Sequence, residues 1–189
     1  MRPPGDEMIL YHGTNMMIGK IDLSRSRKRV DFGKGFYLTD KLGTAYDWAI
    51  RKVELEGEGV ATVFCYEIDP ELFTLSGLRF PNTPETSWLE FICSNRRMDA
   101  PNPNANEPRH GFNWLSGPIA DDKVVDVVAE YMRTEITAES AIARLRVLPQ
   151  TYQVSLHTVE AISFVNELNV TYKQLKNGRW SQAWRKSKR

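Results

Sequence analysis

The sequence has only two cysteines and three histidines, which is a small supply of metal-binding side chains. Cys65 and Cys93 stand in apolar surroundings without metal-ligand spacing, so we expect two reduced and buried thiols. No segment approaches the roughly 18–20 consecutive apolar residues of a membrane span. The residues after Met1 lack the apolar segment of a secretory leader. We therefore expect a cytoplasmic protein that binds no metal and does not act at a membrane.

The common glycine-rich nucleotide motifs are also missing. There is neither a P-loop nor a dinucleotide-binding G-x-G-x-x-G segment, and Gly33-Lys34-Gly35 is too short to count as either. These absences exclude the two most familiar phosphate-binding loops. Any nucleotide site must therefore be built in another way.

Acidic residues are absent from the C-terminal segment, although the whole chain has a net charge of only +1. Residues 171–189 carry seven basic side chains and no acid, which leaves 18 basic against 24 acidic residues in 1–170. A second basic cluster contains Arg25, Arg27, Lys28 and Arg29. Such clusters either bind phosphates or an acidic partner, or form a solvated tail and loop.

Alternating strand and helix patterns predict one α+β domain, and 41% hydrophobic residues suffice for its core. The predicted strands are 8–12, 35–39, 60–68, 112–118 and 152–157. The predicted helices are 43–55, 86–97, 120–132, 138–145 and 159–168, the last two capped by Thr137 and Thr158. The Pro- and Asn-rich segment 99–108 is predicted to be an exposed loop. We expect a disordered N-terminal tail (1–7), a folded domain (8–170) and a basic C-terminal tail (171–189).

Two short motifs carry the most chemical information. The first is Tyr11-His12-Gly13-Thr14, and the second is Phe32-Gly33-Lys34-Gly35-Phe36-Tyr37-Leu38-Thr39-Asp40. A histidine at a strand end followed by glycine can present an imidazole and free backbone groups to a ligand. Tyr37 can supply a flat face for an aromatic ring. Taken singly, however, His12 is better explained as a hydrogen-bonded core histidine and Tyr37 as a core residue.

In this order the motifs resemble those of ADP-ribosyltransferases of the diphtheria-toxin and poly-ADP-ribose polymerase type. The chain also resembles a bacterial family of small uncharacterised ADP-ribosyltransferase-like proteins, through Asp31 to Tyr37, Asn95-Arg96, Gly117 to Asp122 and Tyr152 to Ser155. The resemblance implies two small sheets that face each other around an NAD cleft, with helices outside. It implies that His12 holds the adenosine ribose, that Gly13 grips the nicotinamide amide and that Tyr37 stacks on the nicotinamide ring.

The same resemblance extends the NAD site to further residues. A second stacking aromatic follows the tyrosine by eleven residues in the family, and that count leads to Trp48, for which a core helix position is the alternative. The remaining cofactor-site residues implied by the two motifs are Thr14, Gly35, Phe36 and Thr39.

The third catalytic position departs from the family pattern. Where the family has a glutamate, this sequence has Gln153. An amide oxygen can still accept a hydrogen bond from the ribose 2′-hydroxyl, but it is no general base and brings no charge. Asp31 and Asp121 are the candidate bases. His110 is expected to be exposed in its loop, and His157 to lie at the surface or beside a cap.

The resemblance implies an NAD-dependent mono-ADP-ribosyltransferase that modifies a protein or a nucleic acid, such as a bacterial toxin held by an antitoxin protein or a defence effector. Two alternatives stay open: an NAD glycohydrolase, and a non-catalytic NAD- or ADP-ribose-binding module, which Gln153 makes plausible. Neutralising the Arg25 to Arg29 cluster is expected to weaken target modification more than nicotinamide release.

Overall fold

A computed structural model describes residues 8–27, 30–96, 110–119, 122–148 and 151–187. The predicted tail 1–7, the predicted loop 99–108, Lys28, Arg29 and Asp121 lie outside these residues. Within the described part, the strands are β1 (Met8–Thr14), β2 (Phe36–Thr39), β3 (Gly59–Ile68), β4 (Gly77–Arg79), β5 (Trp114–Pro118), β6 (Tyr152–Leu156), β7 (Val165–Lys176), β8 (Arg179–Trp180) and β9 (Trp184–Ser187). The helices are α1 (Leu42–Glu56), α2 (Thr86–Arg96), α3 (Asp122–Met132), α4 (Ala138–Arg146) and α5 (Val159–Ile162), with short 3-10 helices at Leu23–Arg25 and Pro70–Thr74.

The chain divides into two compact units. The first unit comprises Met1–Ile21, Tyr37–Leu75 and Val159–Arg189, and the second comprises Asp22–Phe36 and Ser76–Thr158. Both units combine helices with strands, and most of the strand pairs are antiparallel, which confirms the predicted α+β class. No helix in the described residues is long and apolar enough to cross a membrane.

In the first unit, antiparallel pairing arranges the strands around β1. β1 pairs with β2 on one edge and with β3 on the other. The pairs between β1 and β3 run from Met8↔Ile68 to Thr14↔Thr62. β3 pairs with β7, and both β8 and β9 then pair with β7. α1 covers one face, because Ala45, Ala49 and Val53 recur on one side of the helix and pack against Ala61 and Val63 of β3.

One sequence-based prediction fails in this unit. The sequence pattern predicts a single helix over residues 159–168, but α5 ends at Ile162 and β7 begins at Val165. The segment Val170-Thr171-Tyr172 favours a strand, and the long pairing of β7 with β3 outweighs the local helical pattern. The predicted end of the domain at residue 170 therefore lies inside β7, and the following basic segment forms the rest of β7, β8 and β9.

The second unit packs three longer helices with a small sheet. β4 pairs parallel with β5, and β5 pairs antiparallel with β6. The inward faces of α2, α3 and α4 bury mostly apolar side chains, among them Trp88, Ile92, Val128, Ala141 and Leu145. Thr137 Oγ1 accepts a hydrogen bond from Ser140 N at 3.2 Å, which confirms the predicted N-cap of α4.

Candidate functional site

His12 and Tyr37 meet in the first unit, where the neighbouring strands β1 and β2 bring the two sequence motifs together. The His12 Nδ1 atom lies 2.7 Å from the backbone oxygen of Tyr37. A carbonyl oxygen only accepts, so Nδ1 carries the proton, and in the neutral ring Nε2 is an acceptor. His12 therefore suits a ligand hydroxyl that donates to Nε2, rather than an oxygen that needs a donor.

Gly13 has a packing role in addition to its predicted ligand contact. A Cβ built on Gly13 would lie 1.9 Å from the backbone oxygen of Ala45, in the first turns of α1. This close approach of β1 to α1 requires glycine at position 13. The neighbouring Thr14 is buried, and its hydroxyl lies 3.4 Å from the Asn15 side-chain oxygen.

Thr39 and Trp48 flank the beginning of α1. Thr39 is buried, and its Oγ1 accepts a hydrogen bond from the Lys41 N–H at 3.3 Å, so this threonine shapes the turn into the helix. Trp48 is half-buried and does not belong to the cluster that α1 forms with β1 and β3. The Arg51 guanidinium lies 6.0 Å from the centre of the Trp48 ring. The stacking role of Trp48 and its alternative, a core helix position, both stay predictions.

Gln153 lies in the second unit, in a buried polar network. Its Nε2 donates to Asp31 Oδ2 at 3.0 Å and to the Pro118 oxygen at 3.1 Å. Asp31 is itself buried and forms an ion pair with Arg96, whose Nε lies 3.0 Å from Oδ1. A carboxylate that accepts from both Gln153 and Arg96 is a structural anion, so Asp31 is a poor candidate for the general base.

Gly35 and Phe36, two more predicted cofactor residues, are also assigned to the second unit. Phe36 is buried. A Cβ on Gly35 would lie 2.6 Å from His157 Nδ1 and 2.9 Å from the Leu156 oxygen. Gly35 thus permits the chain to pass closely over the end of β6, as expected for glycines on both sides of Lys34.

Two histidines hold the loop around Gly33. His157 Nδ1 donates to the Lys34 oxygen at 2.8 Å, and its Nε2 accepts from the Ser155 hydroxyl at 2.9 Å. His110 Nε2 donates to the Phe32 oxygen at 2.9 Å, and the two imidazole rings meet edge to face with centres 4.5 Å apart. The predicted exposure of His110 was wrong, since it is half-buried. His157 is buried rather than at the surface, although it does lie directly before Thr158 and the start of α5.

Burial strongly disfavours the charged form of His157. Desolvation, with a smaller contribution from nearby His110, lowers the pKa of His157 to about 3, against the opposing hydrogen bond to Lys34. Desolvation also lowers the pKa of His110. Both rings are therefore neutral at pH 7, with their protons fixed by carbonyl acceptors.

We expect a pH-dependent loss of stability that originates at His157. Between pH 6.5 and 3, His157 is protonated in the unfolded chain but stays neutral in the folded chain. The free energy of unfolding therefore falls as the pH falls through this window. Between pH 6.5 and 4.5 the loss should be about 2–3 kcal/mol. Urea unfolding at a series of pH values measures it, and His157→Gln should have a correspondingly shallower dependence. Equal pH dependence of the two proteins would contradict this assignment.

The structure distributes the predicted site residues over the two units, and the hydrogen bond between His12 and Tyr37 joins two of them in the first unit. His12, Gly13, Thr14, Tyr37, Thr39 and Trp48 belong to the first unit, while Gly35, Phe36 and Gln153 belong to the second. The sequence did not reveal the histidine pair or the anchoring role of Asp31, because each depends on residues far apart in the chain. A surface depression of about 480 Å³ beside Tyr131 and Ser140 contains none of the predicted residues.

Comparison with known proteins places the chain among its relatives. A family model described as "Protein of unknown function (DUF3990)" matches residues 8–166. The chain belongs to this family. No curated protein and no solved structure matches the chain. The DUF3990 match contains every predicted site residue, and it ends just after the beginning of β7.

Proposed function

We propose that this DUF3990 protein is an NAD-dependent mono-ADP-ribosyltransferase that acts on a protein or a nucleic acid. The observation that carries the proposal is the hydrogen bond from His12 to the Tyr37 backbone. It ties together two motifs that resemble the NAD-binding motifs of ADP-ribosyltransferases. The same proposal includes a fold with split sheets around an NAD cleft and a cytoplasmic location. It also includes a role as toxin or defence effector and an antitoxin partner.

In the proposed site, each residue has a stated task. His12 Nε2 accepts a hydrogen bond from a hydroxyl of the adenosine ribose, while the Gly13 backbone binds the nicotinamide amide. Tyr37 and Trp48 stack on the nicotinamide ring, and both are half-buried, so part of each remains accessible. Thr14 and Thr39, which belong to the same unit, shape the backbone around these groups.

The proposed reaction breaks the bond between nicotinamide and its ribose. The bond electrons leave with nicotinamide, positive charge develops on the ribose, and a nucleophile on the acceptor then bonds to that carbon and loses its proton. The resemblance gives the third position, Gln153, the role of accepting a hydrogen bond from the 2′-hydroxyl. Oε1 is the atom for this role, because Nε2 donates to Asp31 and Pro118. An amide stabilises the developing charge less than a carboxylate, so positioning supplies more of the catalysis.

The hydrogen-bond network of Gln153, Asp31 and Arg96 favours a second function. Gln153 is neutral, and Asp31 is engaged by Arg96, so neither supplies a free base. A module that binds NAD or ADP-ribose without turnover is compatible with this arrangement. The two functions share the nucleotide site and differ only in whether nicotinamide leaves.

We expect Tyr37→Ala and Trp48→Ala each to weaken NAD binding about tenfold or more, since stacking of a ring on an aromatic side chain contributes about 1–3 kcal/mol. Isothermal titration calorimetry measures the dissociation constant. Leu55→Ala is the matched control on the same helix, because Leu55 is 79% exposed. Unchanged affinity in both aromatic variants, with native circular dichroism, contradicts the proposed site.

One incubation distinguishes the candidate activities. The protein is mixed with cell lysate and with NAD labelled in both the nicotinamide and the ADP-ribose parts, and the protein, RNA and DNA fractions are then separated. Nicotinamide release with a labelled macromolecule supports a transferase. Release with free ADP-ribose alone identifies a glycohydrolase, and binding without release identifies the non-catalytic module.

A further inference from the structure

Residues 169–187, here called the C-terminal ribbon, form a basic and aromatic surface on the first unit. In this segment β8 and β9 pair with β7, which itself pairs with β3. The Ser181 backbone N–H donates to the Gln174 backbone oxygen at 2.9 Å, and the Gln174 backbone N–H donates to Ser181 Oγ at 2.8 Å. The basic segment expected as a tail is thus held in a defined geometry.

The strand register separates the two faces of the C-terminal ribbon. Directly paired residues share a face, and successive residues alternate between faces. Leu175 and Trp180 are paired, and both pack against the core that α1 covers. On the opposite face, Tyr172 pairs with Trp184 and Lys176 pairs with Arg179. That face therefore combines an aromatic pair with a pair of cations.

The aromatic pair is not explained by core packing. Trp184 is 60% exposed, whereas Trp180 packs against the core. Lys176 and Arg179 are also exposed. Basic residues on an edge strand can serve to prevent sheet-to-sheet association, but that purpose gives no reason to expose a tryptophan beside them. The combination indicates a ligand with both phosphates and flat rings.

We propose that this face of the C-terminal ribbon binds single-stranded nucleic acid. A base stacks on Trp184 beside Tyr172, and the flanking phosphates contact Lys176 and Arg179. Positions 172 and 176 are about 13 Å apart along a strand, which suits successive nucleotides rather than one small anion. A duplex keeps its bases stacked inside and cannot use the aromatic surface. Charge supports the same ligand, since residues 171–189 contain no acid.

The proposal stands apart from the NAD site. The DUF3990 match ends at residue 166, so the C-terminal ribbon lies beyond the matched region. Binding is measured without NAD, so failure of the transferase proposal leaves this one untouched. Failure of this proposal likewise leaves the nucleotide site unaffected.

The test is fluorescence anisotropy of the full chain with a labelled oligouridylate of twenty nucleotides, over a series of salt concentrations. Trp184→Leu should weaken binding about tenfold or more, with partial recovery in Trp184→Phe. Lys176→Gln with Arg179→Gln should lower the slope of log K against log salt by about 1.4, since each phosphate contact on a single strand contributes about 0.7. Lys20→Gln with Lys41→Gln removes the same charge elsewhere in the first unit and should leave the slope nearly unchanged.

A duplex RNA of the same length and heparin are the competing ligands. Tighter binding of the single strand, with loss in Trp184→Leu confined to it, supports the proposal. Equal affinity for heparin, or no effect of Trp184→Leu in a protein with native circular dichroism, would falsify it in favour of a general polyanion surface.

Discussion

Gly13→Ala is expected to destabilise the protein by about 3 kcal/mol or more, which is the upper end for forcing extra atoms into packed structure. The added Cβ would lie 1.9 Å from the Ala45 oxygen and 2.8 Å from its carbonyl carbon. Both are backbone atoms of α1, so no side-chain rotation relieves the overlap. The helix would have to move away from β1, although Ala45, Ala49 and Val53 fix it against β3. Urea unfolding followed by circular dichroism measures the loss.

Gly43 provides a matched control for this substitution. It lies in α1, and a Cβ built there meets nothing within 4 Å. Gly43→Ala should therefore stabilise the protein by up to about 1 kcal/mol, because alanine is the better helix former. Equal stability of the Gly13→Ala and Gly43→Ala proteins would show that the approach of β1 to α1 is looser than the structure has it.

This packing changes how the first motif is tested. An inactive Gly13→Ala protein says nothing about nicotinamide, since the substitution disturbs the fold itself. Gly35 is similar, because a Cβ there meets His157 and the Leu156 backbone. Variants of Tyr37 and Trp48 are better probes of ligand binding, since neither change adds atoms to the backbone approach.

Much of the fold follows from local patterns in the sequence. β1, α1, β3, α2 and α4 all lie where apolar spacing, glycines and capping residues place them. These signals are local because each one depends on residues within one or two turns or along one strand. The same reasoning placed His12 and Tyr37 each on a strand, since each motif includes the strand that carries it.

The features that the sequence did not reveal depend on distant partners. β7 is a strand because β3 pairs along it, while its local pattern also fits a helix. His157 is buried because Lys34 and His110 surround it from segments far away in the chain. Asp31 accepts a hydrogen bond from Gln153, which lies more than a hundred residues further along the chain. Single-sequence patterns contain no information about such pairings, so tertiary contacts decide them.

Gln153→Glu, which introduces the glutamate expected from the resemblance to ADP-ribosyltransferases, should destabilise this protein by about 3 kcal/mol at pH 7. The substitution puts an oxygen where Nε2 now donates to Asp31 Oδ2 at 3.0 Å and to the Pro118 oxygen at 3.1 Å. Two buried carboxylates would then face each other, so the new carboxyl should bind a proton with a raised pKa. Gln153 and Asp31 are therefore a matched pair of donor and acceptor.

The pH dependence distinguishes this charge conflict from simple misfit. A carboxyl with a raised folded pKa loses stability as the pH rises above about 4.3, its unfolded value. Relative to the native chain, Gln153→Glu should therefore be least impaired near pH 4 and most impaired at pH 7, as measured by urea unfolding. Gln182→Glu makes the same change at an exposed position and should have little effect at any pH.

A double-mutant cycle that combines Gln153→Glu with Asp31→Asn tests the pairing itself. In the double variant, the new amide at position 31 can donate an N–H to the new carboxylate at position 153, which reverses the direction of the native hydrogen bond. Asp31→Asn alone should be destabilising, because Arg96 then loses the carboxylate that it contacts. The double variant should be more stable than the sum of the single losses by about 1 kcal/mol or more. Additive losses would instead show that position 153 is sensitive to shape alone, and a glutamate there would not be in conflict with Asp31.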